Sequence, residues 1–212
     1  GIGFGGDASM YYRRREVTIF GQKADWAFGM NIQNIGNKIS YIKDADADFA
    51  PINLKLGGYM NFHIDEYNEI GVTLDLNKLL VPTLPYIDPD SVGPNNEPVI
   101  VIGMNPDVGV PQGMIQSFYD APGGAKEELY EINPAIGLEY WYARTFALRA
   151  GYFYEHPTKG NRQYLTLGFG IKYNTLSLDF SYLVDARRRA IGTSPLANTI
   201  RFTLNFNFNE NS

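Results

Sequence analysis

The sequence contains no cysteine, which excludes a disulfide framework and any thiolate metal site. It holds two histidines, His63 and His156, too far apart in topology to share one metal ion. A basic excess is also missing. Eighteen Lys and Arg stand against 23 Asp and Glu, a formal net charge of −5, which argues against a nucleic-acid partner held through its phosphates. No run reaches the roughly 18 apolar residues that a membrane helix needs. No G-x-S-x-G elbow occurs. No basic and apolar leader with a cleavage site precedes Gly1, and the chain opens directly in a strand-like pattern, as a mature or fragmentary chain would. No catalytic residue, cofactor or metal is therefore expected, with His156 the one candidate for rim chemistry.

What the sequence does have is aromatic residues and alternation. Fifteen Tyr and thirteen Phe accompany two Trp in 212 residues, a strand-favouring composition. In Thr199–Phe208 the even positions are Ile200, Phe202, Leu204, Phe206 and Phe208, and polar residues fill the odd ones. Gln163–Tyr173 repeats the pattern with Leu165, Leu167, Phe169, Ile171 and Tyr173. A period of two sends alternate side chains to opposite faces of a sheet. The same reading predicts strands over Gly1–Arg13, Asp25–Ile35, Ile52–Ile64, Ile70–Leu79, Glu131–Tyr142, Phe146–Tyr154 and Leu176–Val184. That makes about nine, most of them near the ~9–11 residues that cross a bilayer at a tilt. The slightly negative mean hydropathy is compatible with this, because a barrel presents only alternate residues to lipid.

The connections alternate in length. Counting back from the C-terminus, 185–198 is long, 174–175 tight, 155–162 longer, 143–145 tight, 80–130 very long, 65–69 tight and 36–51 long. Arg14–Ala24 is the least regular of them. Short turns at one end and long loops at the other characterise an outer-membrane barrel, with the short turns periplasmic. The apolar positions are almost free of charge, with Tyr and Phe near strand ends as interfacial girdles. The other face carries Asp25, Lys55, Asp75, Glu139, Arg149, Lys172, Asp179 and Arg201, which a hydrated lumen tolerates and a dry core does not. The expected fold is all-β: a transmembrane antiparallel outer-membrane β-barrel in contact with lipid, one domain over 1–212. The loop 80–130 is expected on the outside.

The remaining motifs are weak. Gly1, Gly3 and Gly6 satisfy G-x-G-x-x-G but lie in an alternating strand instead of a strand-to-helix turn. Asp44, Asp46 and Asp48 lack the glycine and distant glutamate of a calcium loop. The basic runs Arg13–Arg15 and Arg187–Arg189 read as solvated or paired with lipid phosphate. Loop 80–130 is the informative segment. It is rich in proline and carries Val99, Ile100, Val101, Ile102, Ile115, Phe118 and Tyr119, which point to a protein partner or to a cap folded onto the barrel mouth. Near its end, Asp120 or a following glycine is expected to open a short acidic helix over Ala125–Glu131.

Five blocks, Asn31–Gly36, Leu74–Pro82, Ile115–Leu129, Leu138–Tyr142 and Arg149–Tyr154, resemble PorV (LptO), an outer-membrane family of the type IX secretion system of Bacteroidetes. That family is similar in fold to the FadL long-chain fatty-acid transporters, barrels of about fourteen strands. The resemblance implies that this chain supplies the C-terminal strands. It also implies a non-enzymatic role with three protein partners: the translocon barrel SprA (Sov), cargo bearing C-terminal signal domains, and the sortase PorU. The alternative is a FadL-like transporter of hydrophobic small molecules, which would need an apolar pocket reached through the lumen.

Overall fold

A computed structural model describes residues 3–40, 47–94, 97–187 and 198–207. Nine long strands form one antiparallel sheet: β1 (Gly5–Ile19), β2 (Gln22–Gly36), β3 (Asn53–His63), β4 (Asn68–Leu79), β7 (Ile132–Tyr142), β8 (Phe146–Tyr154), β9 (Gln163–Tyr173), β10 (Leu176–Asp185) and β11 (Thr199–Phe206). They pair in chain order from β1 to β11, and the sheet is not closed. The connection from β4 to β7 holds a separate two-stranded sheet, β5 (Tyr86–Val92) with β6 (Pro98–Ile102), and two short helices, α1 (Val110–Gln116) and α2 (Ala125–Tyr130).

The irregular stretch Arg14–Ala24 is a correction to the sequence reading. It is strand on both sides of a tight turn at Phe20 and Gly21, where φ is +51° and +79°. Two successive positive φ values give the turn whose twist suits a hairpin. Glu16 also sits at φ +51°, which interrupts the alternation that would have marked the strand. With this hairpin in place, every connection at that end of the sheet is short. The asymmetry of turns and loops becomes regular.

The chain divides into two compact units. The first comprises residues 1–10, 30–55 and 77–132. Its core is Ala50, Ile52 and Leu80, packed by Ile32, Ile35, Leu54, Val110 and Met114. The Leu80 N–H donates to the Ile52 carbonyl at 2.8 Å, so the two strand ends flanking the core are tied together.

The second unit comprises residues 11–29, 56–76 and 133–212. Its register aligns a row of apolar residues, Tyr140, Leu148, Phe169, Phe180 and Phe202, across β7 to β11. The Phe169, Phe180 and Phe202 rings follow one another at 5.1 Å, within the range of favourable aromatic pairing. One residue along each strand, the adjacent row is Glu139, Arg149, Gly168, Ser181 and Arg201. The apolar row is the exposed one: Leu148, Phe169 and Phe202 all stand open, whereas Ala147 and Tyr164 on the other face are buried. A water-soluble sheet would bury its apolar face. This one turns it outward, as a barrel wall does towards lipid.

On the opposite face Arg149 donates from Nε to Glu139 and from Nη1 to Asp179, both at 2.5 Å, and its guanidinium lies 5.3 Å from the Trp141 ring. Small residues make room for it. A Cβ at Gly170 would lie 2.5 Å from the Asp179 Oδ1 and 2.8 Å from Arg149 Nη1. Three of the charges read as lumen-facing, Glu139, Arg149 and Asp179, are thus paired across strands.

Candidate functional site

The loop from β4 to β7 lies in the first unit and is built outward from its core. Pro111 occupies the first turn of α1, where a missing N–H costs nothing and φ is already helical. Val110 and Met114 pack on the core. Gly113 presses against its neighbours so closely that a Cβ there would stand 2.5 Å from the Phe49 ring and 3.1 Å from Pro82. The outward side of the same segment carries Ile115, Phe118 and Tyr119, at 64, 50 and 59 % exposure.

Polar contacts anchor the rest of the loop. Lys78, at the end of β4, is buried and lies 3.1 Å from Glu128 Oε2 and 2.7 Å from Glu131 Oε2. The Thr83 hydroxyl donates to Glu131 at 2.8 Å, and the Thr83 N–H donates to Asp120 Oδ2 at 3.0 Å. Ala121 N–H donates to Glu128 at 2.8 Å. Gln116 Nε2 donates to the Asn105 carbonyl at 2.9 Å. Asp120, Gln116 and Ser117 are almost wholly buried, and the Asp120 Oδ1 has no hydrogen-bond partner among the described residues. Burial pushes the Asp120 carboxyl above its ordinary range, while the Thr83 N–H opposes that shift. Lys38 joins the neighbouring loop to this one through Asp107 at 2.8 Å and holds that exposed carboxylate below its usual range.

The acidic helix is present as α2, and of the two expected openers it is the following glycine, not Asp120, that starts it. The N-cap is Gly124, at φ +67°, and Asp120 is committed to Thr83 and Gln116. Sequence reasoning missed the knot of Lys78, Thr83, Gln116, Asp120, Glu128 and Glu131. The only sequence signal was an excess of carboxylates beside a single lysine at a strand end.

The β5–β6 hairpin pairs Tyr86 with Ile102, Ile87 with Ile100 and Asp88 with Val99. Val99, Ile100, Val101 and Ile102 are consecutive in one strand, so both faces of the ribbon are apolar. All four are exposed. The seven residues singled out in the loop therefore fall into two groups, one on this hairpin and one at the outer side of α1 and the turn after it.

The other motifs lie elsewhere. Asp44 and Asp46 lie outside the described residues, as do Gly1, Arg188 and Arg189, and Asp48 forms a backbone bridge with Ile39. His156 contacts the Thr158 hydroxyl at 2.8 Å in the loop after β8. Beside it, Glu155 is buried and holds Arg162 at 2.6 Å. His63 ends β3 among charged side chains.

Residues 1–86 match the model of a family described as type IX secretion system protein PorV. The blocks Asn31–Gly36 and Leu74–Pro82 lie inside the matched stretch; the other three lie beyond it. No curated protein matches the chain. Over residues 1–86 the chain is similar to the PorV family of type IX secretion proteins, and an antiparallel sheet whose exposed face is apolar agrees with that likeness.

Proposed function

We propose that this chain is a non-enzymatic binding and shuttle component, which docks on the translocon barrel and passes cargo bearing C-terminal signal domains to the attachment machinery and its sortase. The loop between β4 and β7 carries the contact. One observation supports this above others: Ile115, Phe118 and Tyr119 stand half or more exposed on a segment held rigid from below. The knot settles the ordering cost of that segment before any partner arrives. The hairpin adds a second apolar surface, and a two-stranded ribbon with both faces apolar is poorly stable in water unless another surface covers it. Each of the three side chains would contribute roughly 1.5–3 kcal/mol in area terms, before association costs.

A FadL-like channel finds less support. It would need an apolar pocket on the lumen-facing side; the cavity of about 380 Å³ there is lined by Leu138, Ala150 and Phe180, but the ion-paired Glu139, Arg149 and Asp179 also stand in its wall.

The test is the Ile115→Ser/Tyr119→Ser double variant in the full-length protein. Phe118 is spared because its ring lies 5.7 Å from the buried Lys78 ammonium. Folded barrel in the membrane and copurified translocon and cargo are then measured together. The expected outcome is a normal barrel level with lost partners. Unchanged partner recovery per folded molecule would overturn the assignment of the contact to this surface.

A further inference from the structure

His63 stands between two carboxylates on neighbouring strands. Its Nδ1 lies 3.3 Å from Glu69 Oε1 on β4, and its Nε2 lies 3.5 Å from Asp25 Oδ1 on β2. Arginines occupy the far sides: Arg13 of β1 meets Asp25 at 2.8 Å, and Arg144 of the β7–β8 turn meets Glu69 at 2.8 Å. The result is a chain of alternating charge, Arg13–Asp25–His63–Glu69–Arg144, running across the turn end of the second unit. The carboxylates have other donors as well. Glu16 N–H reaches Asp25 Oδ1 at 3.0 Å, and Asn61 Nδ2 reaches Glu69 Oε2 at 2.8 Å.

A neutral imidazole has one N–H and one bare nitrogen, and an ionised carboxylate only accepts. With carboxylate oxygens at both ring nitrogens, the neutral ring would set a lone pair against one of them. The imidazolium can donate to Asp25 from Nε2 while its charge faces Glu69 at Nδ1. Local charge agrees. The cavity of about 580 Å³ around this chain is lined by four cations, Arg13, Arg15 and Lys23 with Arg144, and by five carboxylates, Glu16, Asp25, Asp65 and Glu66 with Glu69. A charged His63 brings that lining to neutrality.

We propose that His63 is a protonation-dependent clamp which, as the imidazolium, ties β2, β3 and β4 together at the turn end of the sheet. On losing a proton it keeps one strand and releases the other. The β3 side of the β3–β4 turn is the part loosened: Asp65 there is bonded within the turn, to Tyr67 N–H and to Asn68, whereas the far side of the turn stays tied to the β7–β8 turn through Ala143 N–H and the Tyr67 carbonyl.

Hydrogen exchange of the full-length protein in lipid nanodiscs tests this at about pH 5.5 and about pH 8.5. Rates are corrected for intrinsic pH dependence and referred to amides of β8. Loss of one charge-assisted hydrogen bond corresponds to about a tenfold change in local opening. Protection of residues 61–69 is therefore expected to be about tenfold greater at the lower pH, with the ratio falling to near one in His63→Gln and persisting in His156→Gln. Equal corrected protection of the wild type at the two pH values would overturn the clamp without any variant. So would a ratio that survives in folded His63→Gln.

Discussion

Leu204 and Thr203 are adjacent in β11 yet meet different surroundings. Leu204 stands opposite Leu178 on the exposed apolar face, and Thr203 stands opposite Asp179 on the face that carries Arg149. Leu204→Arg is expected to cost about 2–4 kcal/mol near mid-membrane, and Thr203→Arg far less. A folding titration from lipid vesicles measures both, and equal losses would reverse the assignment of faces. Asp120 supports a second prediction. Its carboxyl is raised by burial, so the folded loop binds a proton more tightly than the unfolded chain does. Stability from this group is greatest at low pH and falls as pH climbs above about 4, through the ordinary carboxylate range and up to the raised folded value. Asp120→Asn should flatten that slope in a pH series of thermal melts, and an unchanged slope would assign it to another group. None of this was legible at Asp120 itself. In the sequence an Asp before Ala-Pro-Gly-Gly is, with the glycines after it, a candidate helix opener, and only the approach of Thr83, 37 positions away, turns it into a buried anchor.

At the scale of elements, the strands with uninterrupted alternation were readable almost to the residue. Phe146–Tyr154 and Gln163–Tyr173 coincide with β8 and β9, because a one-residue error would exchange the two faces. Legibility failed where the period broke. Arginines in a row and a left-handed Glu16 hid the hairpin of β1 and β2, and a Phe-Gly turn lacks the Asn-Gly signal of the tight type. The long loop failed differently. Four successive apolar residues in β6 show no alternation, and α1 is too short for a helical period. The knot beneath that loop is open to direct test. Lys78→Met leaves the partly buried Glu128 and Glu131 without their cation and is expected to destabilise the loop by about 3–5 kcal/mol. Limited proteolysis should then cut within residues 80–131 while β7 to β11 remain protected. Equal protection of wild type and variant would show that the loop is held by other means.

At the scale of the whole molecule, the sheet runs from β1 to β11 without closing. Lipid offers no hydrogen bonds to the two edges, so these 212 residues expressed alone are expected to aggregate or to fold only when further strands are supplied. A monodisperse, heat-modifiable barrel from this chain alone would contradict that. The row Tyr140, Leu148, Phe169, Phe180 and Phe202 also bears on how the wall is assembled. If β10 met β9 one residue out of step, Asp179 would turn towards lipid and Phe180 towards the charged face, an error of several kcal/mol that cannot persist. A slip of two residues keeps the faces correct, but it carries Asp179 about 7 Å along the strand, away from Arg149. The rings thus reject odd errors and the ion pair rejects even ones. Together they act as a parity check on insertion, read once by the bilayer and once by the arginine.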